Sequence, residues 1–254
     1  MRSLQFANFL AANMDPVYGA IAAEVGRQLE RPVHYNPSQS SGSFDAGSID
    51  VAFICGLPYV LLNQQKPASV ELLAAPILCG DRYQAQPVYF SDIIVNRQSD
   101  YQHFSDLVGC LWAFNEEISY SGYRVVAHFL RQQQLGWDFF GQMIRAGSHQ
   151  KAMSMVGAGT ADAAAIDSQV LAVELQQRPE LAEDVRVIDT IGPSPMPPII
   201  AAGRLPSILK HDIRQVLLGL HQNQALRELF ISGCIERFTE VDDGHYDAIR
   251  QVIA

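Results

Sequence analysis

The sequence lacks the motifs by which many enzymes and metalloproteins are recognised. It contains no GxxxxGK(S/T) phosphate loop, no HExxH zinc motif, no GxSxG nucleophile elbow and no EF-hand loop. Its seven histidines are scattered, and none is spaced as a metal-ligand pair with a cysteine or a second histidine. We therefore expect no metal and no cofactor, and nothing in the sequence demands catalysis.

Long apolar runs are absent as well. No segment is long enough to span a bilayer, and the N-terminus has no basic region followed by an apolar run of signal-peptide length. Two localisations therefore stay open. The protein is periplasmic, or membrane-associated outside the cytoplasm, if a secretory segment has been removed, and otherwise it is cytoplasmic.

Cysteine is sparse. Cys55, Cys79, Cys110 and Cys234 form no CxxC pair and no cluster with zinc spacing. We expect four buried free thiols, because free cysteine is usually buried and two of the four lie in apolar strand-like runs. A disulfide between Cys55 and Cys79 is the alternative in an exported protein.

Positive charge is scarce. Eighteen Lys and Arg residues against 27 Asp and Glu residues give a net charge of −9. This balance disfavours nucleic acid or an anionic membrane as the main partner. A small anion is still permitted, because the N–H groups at the beginning of a helix bind one locally whatever the global charge.

What the sequence does contain is an alternation of strands and helices along 254 residues, 48% of them hydrophobic. Short apolar runs alternate with amphipathic helices, which predicts α/β architecture with mainly parallel sheets. One helix begins at Asp15-Pro16, another carries Tyr123 and ends near Gly136, and a third begins at Pro206. The predicted strands lie at 50–55, 93–95, 110–114, 163–166 and 185–188.

Two segments read as passages between lobes. The first is 87–95, which is longer than the neighbouring strand-like runs, and the second is 187–192, which leads into 193–198. That last segment has four prolines in six residues and cannot be a central strand or a helix. If both are crossovers, residues 90–190 form one lobe, and residues 1–89 and 191–254 together form the other.

Several turns follow a strand and begin a helix, at 56–59, 116–123, 147–149 and 167–168. In open α/β sheets ligands bind outside the carboxyl ends of the strands, where such turns gather. Helix N-termini and hydroxyl groups that converge there make a site for a tetrahedral oxyanion without any lysine. Taken singly, these residues are ordinary helix caps or packing residues. Their recurrence at four equivalent positions predicts a binding cleft.

The ordered series of these segments resembles the PhnD-like phosphonate/phosphate substrate-binding proteins of ABC transporters. The resemblance covers nearly the whole chain and is carried by residues 89–95, 104–109, 113–114, 119–123, 147–152, 159–168, 193–198 and 242–247.

The resemblance implies a type II periplasmic-binding-protein fold, in which two α/β lobes joined by two crossover segments enclose a ligand cleft. It implies a non-catalytic protein that binds a small phosphonate- or phosphate-like anion and passes it to an ABC permease. By the same resemblance, Ser119, Tyr120 and Ser121 form the oxyanion turn, and Ser121 and His149 contact phosphoryl oxygens.

Three further site residues follow from the resemblance. Tyr89 and Tyr59 would line the cleft, and Asp167 would face the organic part of the ligand. The sequence departs from the family pattern at Tyr120, which replaces a small hydroxyl residue, and in the Ser/Gly-rich segment 36–48. It also departs at Glu116 and Glu117, which would repel an anion unless they face away or pair with a cationic group of the ligand.

Two other functions stay open. One is an enzyme on the same scaffold, since fold does not fix function, with Asp167 and His149 as the acid/base pair. The other is a sensory or partner-binding module.

Overall fold

The computed structural model describes residues 2–38 and 44–253. It divides the chain into two compact units. Unit 1 comprises Met1–Val88 and Pro195–Arg250, and unit 2 comprises Tyr89–Ser194 and Gln251–Ala254. The chain thus passes from unit 1 to unit 2 and back, and its last residues group with unit 2.

Eleven strands and nine helices are found in the described ranges. The strands are β1 Leu4–Asn8, β2 Val33–Asn36, β3 Val51–Phe53, β4 Val70–Leu78, β5 Val88–Asn96, β6 Leu111–Phe114, β7 Gln142–Arg145, β8 Ala163–Asp167, β9 Val185–Pro195, β10 Ile199–Ala202 and β11 Ile235–Thr239. The helices are α1 Asp15–Gln28, α2 Gly56–Gln65, α3 Val125–Gln132, α4 His149–Gly157, α5 Ser168–Gln177, α6 Leu181–Asp184, α7 Ser207–Gly219, α8 Arg227–Ser232 and α9 Asp247–Ile253.

Each unit contains one sheet with helices. The sheet of unit 1 has the strand order β11-β4-β10-β3-β1-β2, and that of unit 2 has the order β7-β6-β8-β5-β9. β1 is parallel to β2 and β3, and β6 is parallel to β7 and β8. The predicted α/β class is confirmed.

The prediction of mainly parallel sheets is wrong. β10 runs antiparallel to β3 and β4, β11 runs antiparallel to β4, and β5 runs antiparallel to β8. A parallel neighbour needs a long crossover connection, usually a helix, between the two strands. β5 and β10 instead enter their sheets from the segments that join the units, so nothing forces them into the parallel direction.

The apolar periodicity predicts the core well. All the residues of β8 and β10 are buried, as expected of strands covered on both faces. In α7, Leu209, Ile213, Val216 and Leu217 form a buried stripe at helical spacing, and Pro206 precedes the first helical residue. Burial of such a stripe contributes about 2 kcal/mol for each large aliphatic side chain.

The proline-rich segment behaves as its chemistry requires. β9 extends to Pro195 and lies at the edge of its sheet, where a missing backbone N–H does not break an internal ladder. The exclusion of a central strand or helix is therefore confirmed.

Two local predictions were wrong. Gly136 does not follow the end of α3, because that helix ends at Gln132 and Gln134 supplies the left-handed residue with φ 59°. None of the four cysteines forms a disulfide in the described ranges, and they are not all buried: Cys110 is buried and Cys79 is exposed.

Within the described ranges, no helix is long and apolar enough to cross a membrane. No cluster of three or more His, Cys, Asp or Glu side chains in these ranges is placed to hold a metal ion. The Ser/Gly-rich segment 36–48, expected to depart from the family pattern, lies partly outside the described residues.

Candidate ligand-binding site

The carboxyl ends of β6 and β8 lie at one edge of the unit 2 sheet because these two strands are parallel. Asn115 is the first residue after β6, and Asp167 is the last residue of β8. β5 runs in the opposite direction with Ser91 opposite Asp167, so Tyr89 near its beginning lies at this edge as well. The edge therefore collects polar residues that are far apart in the sequence.

The turn after β6 leads into a single π-helical turn, Tyr120–Arg124. Ser119 caps it, because its Oγ accepts a hydrogen bond from the backbone N–H of Gly122 at 3.2 Å. Tyr120 and Ser121 are buried directly after this cap. A serine hydroxyl that accepts in this way keeps its own proton for another acceptor.

A second helix beginning approaches the same place. Gly147 has φ +87°, a left-handed conformation that glycine adopts without strain, and its N–H donates to the carbonyl of Asn115 at 2.9 Å. Ser148 then caps α4 by accepting from the N–H of Lys151 at 3.1 Å. His149, the first residue of α4, is thereby held beside the turn after β6.

Ser121, His149 and Asn115 meet at this point, and we call them the unit 2 cluster. The Nε2 atom of His149 lies 3.1 Å from Oγ of Ser121 and 3.3 Å from Nδ2 of Asn115. Burial lowers the pKa of His149 to about 4, so the ring is neutral at neutral pH. Nδ1 of His149 and Oδ1 of Asn115 are buried without a hydrogen-bond partner in the described part of the chain.

The carboxylates of the turn are paired. Nη2 of Arg145, on β7, lies 3.1 Å from Oε1 of Glu116, and Nε of the same guanidinium lies 3.7 Å from Oε2 of Glu117. The repulsion expected between these two carboxylates and an anion is therefore reduced by a cation that belongs to the same unit.

Asp167 is buried and caps α5. Its Oδ1 accepts from the N–H of Gln169 at 2.8 Å and from the N–H of Val170 at 3.3 Å. Burial raises the pKa of Asp167 to about 7 in spite of these bonds, and the neighbouring charge of Asp92 adds to the rise. Its carboxyl group therefore changes charge near neutral pH.

Tyr59 lies in unit 1, at the beginning of α2. Its hydroxyl donates to Oδ1 of Asp243 at 2.7 Å, and its ring packs against Tyr246 with centroids 4.9 Å apart. Burial and the hydrogen bond to Asp243 raise the pKa of Tyr59. Its role as a ligand contact stays a prediction.

The structure thus brings four predicted site residues, Ser119, Tyr120, Ser121 and His149, into one turn and the helix beside it. Tyr89, which is 1% exposed, and Asp167 lie at the same edge of the sheet. Sequence reasoning missed Asn115. Its position directly after a predicted strand was the available signal, since that is where ligand contacts occur in open α/β sheets.

A sequence model for the family described as "ABC transporter, phosphonate, periplasmic substrate-binding protein" matches residues 6–246. The chain belongs to this family. The recognised resemblance to PhnD-like proteins is confirmed. The family consists of substrate-binding transport components and not of enzymes, and an ABC permease is the implied partner.

Solved structures show the same fold. PhnD1 from Prochlorococcus marinus, in complex with methylphosphonate, is 20% identical, with a TM-score of 0.85 over 98% of this chain and 96% of that one. The binding component of a phosphonate ABC transporter from Pseudomonas aeruginosa is 16% identical, with a TM-score of 0.83 over 99% and 85%. The aliphatic sulphonate binding protein SsuA from Escherichia coli is 15% identical, with a TM-score of 0.65 over 99% and 85%. The type II periplasmic-binding-protein fold is confirmed.

Proposed function

We propose that this chain binds a small phosphorus oxyanion, a phosphonate or phosphate, at the strand-end edge of unit 2. It passes this ligand to an ABC permease. One observation carries the proposal: Ser121 and His149, both buried, lie within hydrogen-bond distance of each other where two helices begin. In addition, Nδ1 of His149 has no hydrogen-bond partner in the described residues. Membership of the family supports the class of ligand.

The ligand is held by neutral donors. The hydroxyls of Ser119 and Ser121 each have a proton to donate, and His149 adds one ring N–H. The first N–H groups of α4 have no partner within the helix, and the positive end of its dipole favours an anion. The guanidinium of Arg145 is paired with Glu116 and Glu117, so its charge balances the carboxylates of the turn. The rings of Tyr120 and Tyr89, both in unit 2, line the ligand, while a ligand contact by Tyr59 stays a prediction.

Asp167 is proposed to face the organic part of the ligand. When it is ionised, its carboxylate attracts an ammonium group, so an aminophosphonate is favoured over an alkylphosphonate. Because its pKa is about 7, this preference grows as the pH rises through neutrality. A preference that is the same at pH 6 and pH 8 would contradict this role.

The protein is proposed to work in the periplasm, or bound to the membrane outside the cytoplasm. The description of its family supports this location. Fractionation of cells that express the full-length gene product tests it, and recovery of the protein in the cytoplasm alone would contradict it.

Thermal unfolding with a panel of anions tests the proposed function. Inorganic phosphate, phosphite, methylphosphonate, 2-aminoethylphosphonate, sulfate and methanesulfonate are added separately to the purified protein. A ligand at a hundred times its Kd stabilises the protein by about 2.7 kcal/mol. We expect this from at least one phosphorus oxyanion. No shift with any of them, or a larger shift with sulfate or methanesulfonate, would overturn the assignment.

A further inference from the structure

Asn115 is the member of the unit 2 cluster whose role could not be predicted from the sequence. Its amide nitrogen lies 3.3 Å from Nε2 of His149, and its amide oxygen is buried without a partner in the described ranges. The orientation of this amide determines which nitrogen of the imidazole carries the proton.

Gly122 determines the orientation of the amide. A Cβ added at Gly122 would lie 2.1 Å from Oδ1 of Asn115 and 3.2 Å from Cε1 of His149. The Cα hydrogen of Gly122 therefore points at the end of the amide that is assigned as oxygen. A Cα–H group is a weak donor, which suits a carbonyl oxygen and opposes an N–H group. The oxygen thus belongs against Gly122 and the nitrogen against His149.

The position of the ring proton follows. An amide nitrogen only donates, so Nε2 of His149 accepts. The buried ring is neutral, and a neutral imidazole that accepts at Nε2 carries its proton on Nδ1. Nδ1 is the buried ring atom without a hydrogen-bond partner among the described residues. The cluster therefore contains one N–H group, at Nδ1 of His149, for which the described chain provides no hydrogen-bond acceptor.

We propose that Asn115 is a positioning residue, which holds His149 in the tautomer with the proton on Nδ1 and so presents this N–H to the anion. The second half of this statement rests on the proposed function. Ser121 also reaches Nε2, at 3.1 Å, but its hydroxyl is needed by the ligand. Asn115 keeps Nε2 occupied when Ser121 turns its proton toward the anion. Without Asn115, the ring can donate from Nε2 to Ser121 and present a lone pair from Nδ1, which repels an anion.

Nitrogen NMR of the histidine rings tests the tautomer directly. The full chain is labelled with ¹⁵N-histidine, and the signals of His149 are assigned with a His149→Gln variant. We expect Nδ1 of the wild type to be the protonated nitrogen. In Asn115→Asp, a carboxylate oxygen replaces the donor at the same position, so the proton moves to Nε2. A wild-type ring protonated at Nε2, or an unchanged tautomer in Asn115→Asp, would overturn the proposal.

Binding of methylphosphonate is then compared between the wild type and Asn115→Leu, which removes the donor at similar volume. The affinity falls about tenfold, as for the loss of one hydrogen bond. Asn63→Leu is the matched control, since Asn63 donates to Asp243 in unit 1 and its loss leaves both the tautomer and the affinity unchanged. Should Asn115→Leu fail to fold, Gly122→Ala takes its place, because the added Cβ displaces the amide of Asn115. We expect the ring proton of His149 to move to Nε2 in this variant, as in Asn115→Asp. Equal affinities of the wild type and the variant would overturn the binding half of the proposal.

The tautomer of His149 and the binding of an anion can be distinguished by these measurements. If the ring is protonated at Nδ1 but no phosphorus oxyanion binds, the proposed function is wrong and with it the link between Nδ1 and the ligand, while the effect of Asn115 on the ring survives. If methylphosphonate binds but the free ring is protonated at Nε2, the proposed function survives and the role of Asn115 is wrong.

Discussion

Two polar clusters, one in each unit, stand at the beginning of a helix that follows a strand, and they are built in opposite ways. In unit 1, Oδ1 of Asp243 accepts from Tyr59 at 2.7 Å, from Asn63 at 3.0 Å and from Arg250 at 2.6 Å. In unit 2, the Ser121, His149 and Asn115 cluster is neutral and keeps buried polar atoms without partners in the described chain.

This difference in hydrogen bonding distinguishes polar groups that stabilise the fold from polar groups that are arranged to bind a ligand. Although burial opposes it, hydrogen bonds from Tyr59 and Arg250 keep the pKa of Asp243 below its usual value, as expected of a carboxylate whose partners belong to the fold. An unpaired buried donor or acceptor instead costs about 1–3 kcal/mol of stability. The unit 2 cluster bears this cost, and a bound oxyanion would offset it.

The largest expected effect is on binding through the unit 2 cluster. A Ser121→Ala/His149→Gln double variant removes two hydrogen bonds to a charged ligand, worth about 4 kcal/mol together, or roughly a thousandfold in Kd. Calorimetric titration with methylphosphonate measures it. Ser99→Ala, which also removes a serine hydroxyl of unit 2 bonded within the chain, is the control and binds as the wild type does. If the double variant binds methylphosphonate as tightly as the wild type does, the unit 2 cluster is not arranged for a ligand and does not differ from the unit 1 cluster in this respect.

The second effect is on the pH dependence of stability. The pKa of His149 is about 4 in the folded chain and 6.5 in a free side chain, so between these values the unfolded state binds the extra proton and stability is lost as the pH falls. His149→Gln removes this loss. We therefore compare the unfolding free energy of the variant with that of the wild type at two pH values. This difference is about 2–3 kcal/mol more favourable to the variant at pH 4.5 than at pH 7.5.

Asp167 acts in the opposite sense. Its pKa of about 7 lies above the ordinary value of 3.8, so its contribution is most favourable at low pH and is lost as the pH rises toward 7. Because the two groups oppose each other between pH 4 and 6.5, the wild-type profile of stability against pH is flatter than that of His149→Gln. Urea unfolding at both pH values measures the difference, and a His149→Gln effect that is independent of pH would show that the ring is not buried neutral.

The third prediction concerns the unit 1 cluster. Tyr59→Phe keeps the ring and removes the hydroxyl that donates to Asp243, which lowers the unfolding free energy by about 1.5–2 kcal/mol. The affinity for methylphosphonate changes by less than about twofold, because the lost hydrogen bond lies within unit 1 and the bonds to the ligand are unchanged. A large loss of affinity with unchanged stability would mean that the hydroxyl contacts the ligand.

The smallest effect comes from the guanidinium beside the turn. Arg145→Gln leaves Glu116 and Glu117 without their cation, so methylphosphonate binds about threefold more weakly at low ionic strength and nearly normally in 1 M salt. Arg250→Gln makes the same change of charge beside Asp243 in unit 1, and we expect it to leave the affinity unchanged. Equal effects of the two variants would mean that only net charge matters.

Much of the architecture could be predicted from the sequence because it depends on apolar periodicity. The stripe of α7 and the buried run of β8 are encoded in local spacing. The antiparallel entry of β5 and β10 could not be predicted in this way, since strand direction depends on which connection enters the sheet. The end of α3 was misplaced because a non-glycine residue, Gln134, adopts the left-handed conformation that follows the helix.

The site was predictable to a different extent. Helix-beginning residues such as Ser121 and His149 follow strands in the sequence, so their gathering at one edge is expected from topology. The role of Asn115 depends on a close approach to Gly122 across the turn, which no spacing reveals. Likewise, the pairing of Tyr59 with Asp243 joins residues 184 positions apart.

A crystal structure of the protein with methylphosphonate tests the central claim most directly. We predict phosphoryl oxygens within about 3 Å of Oγ of Ser121 and of a ring nitrogen of His149, at the carboxyl edge of β6 and β8. A ligand bound elsewhere on the protein, or a cluster that stays unoccupied in the saturated crystal, would contradict it.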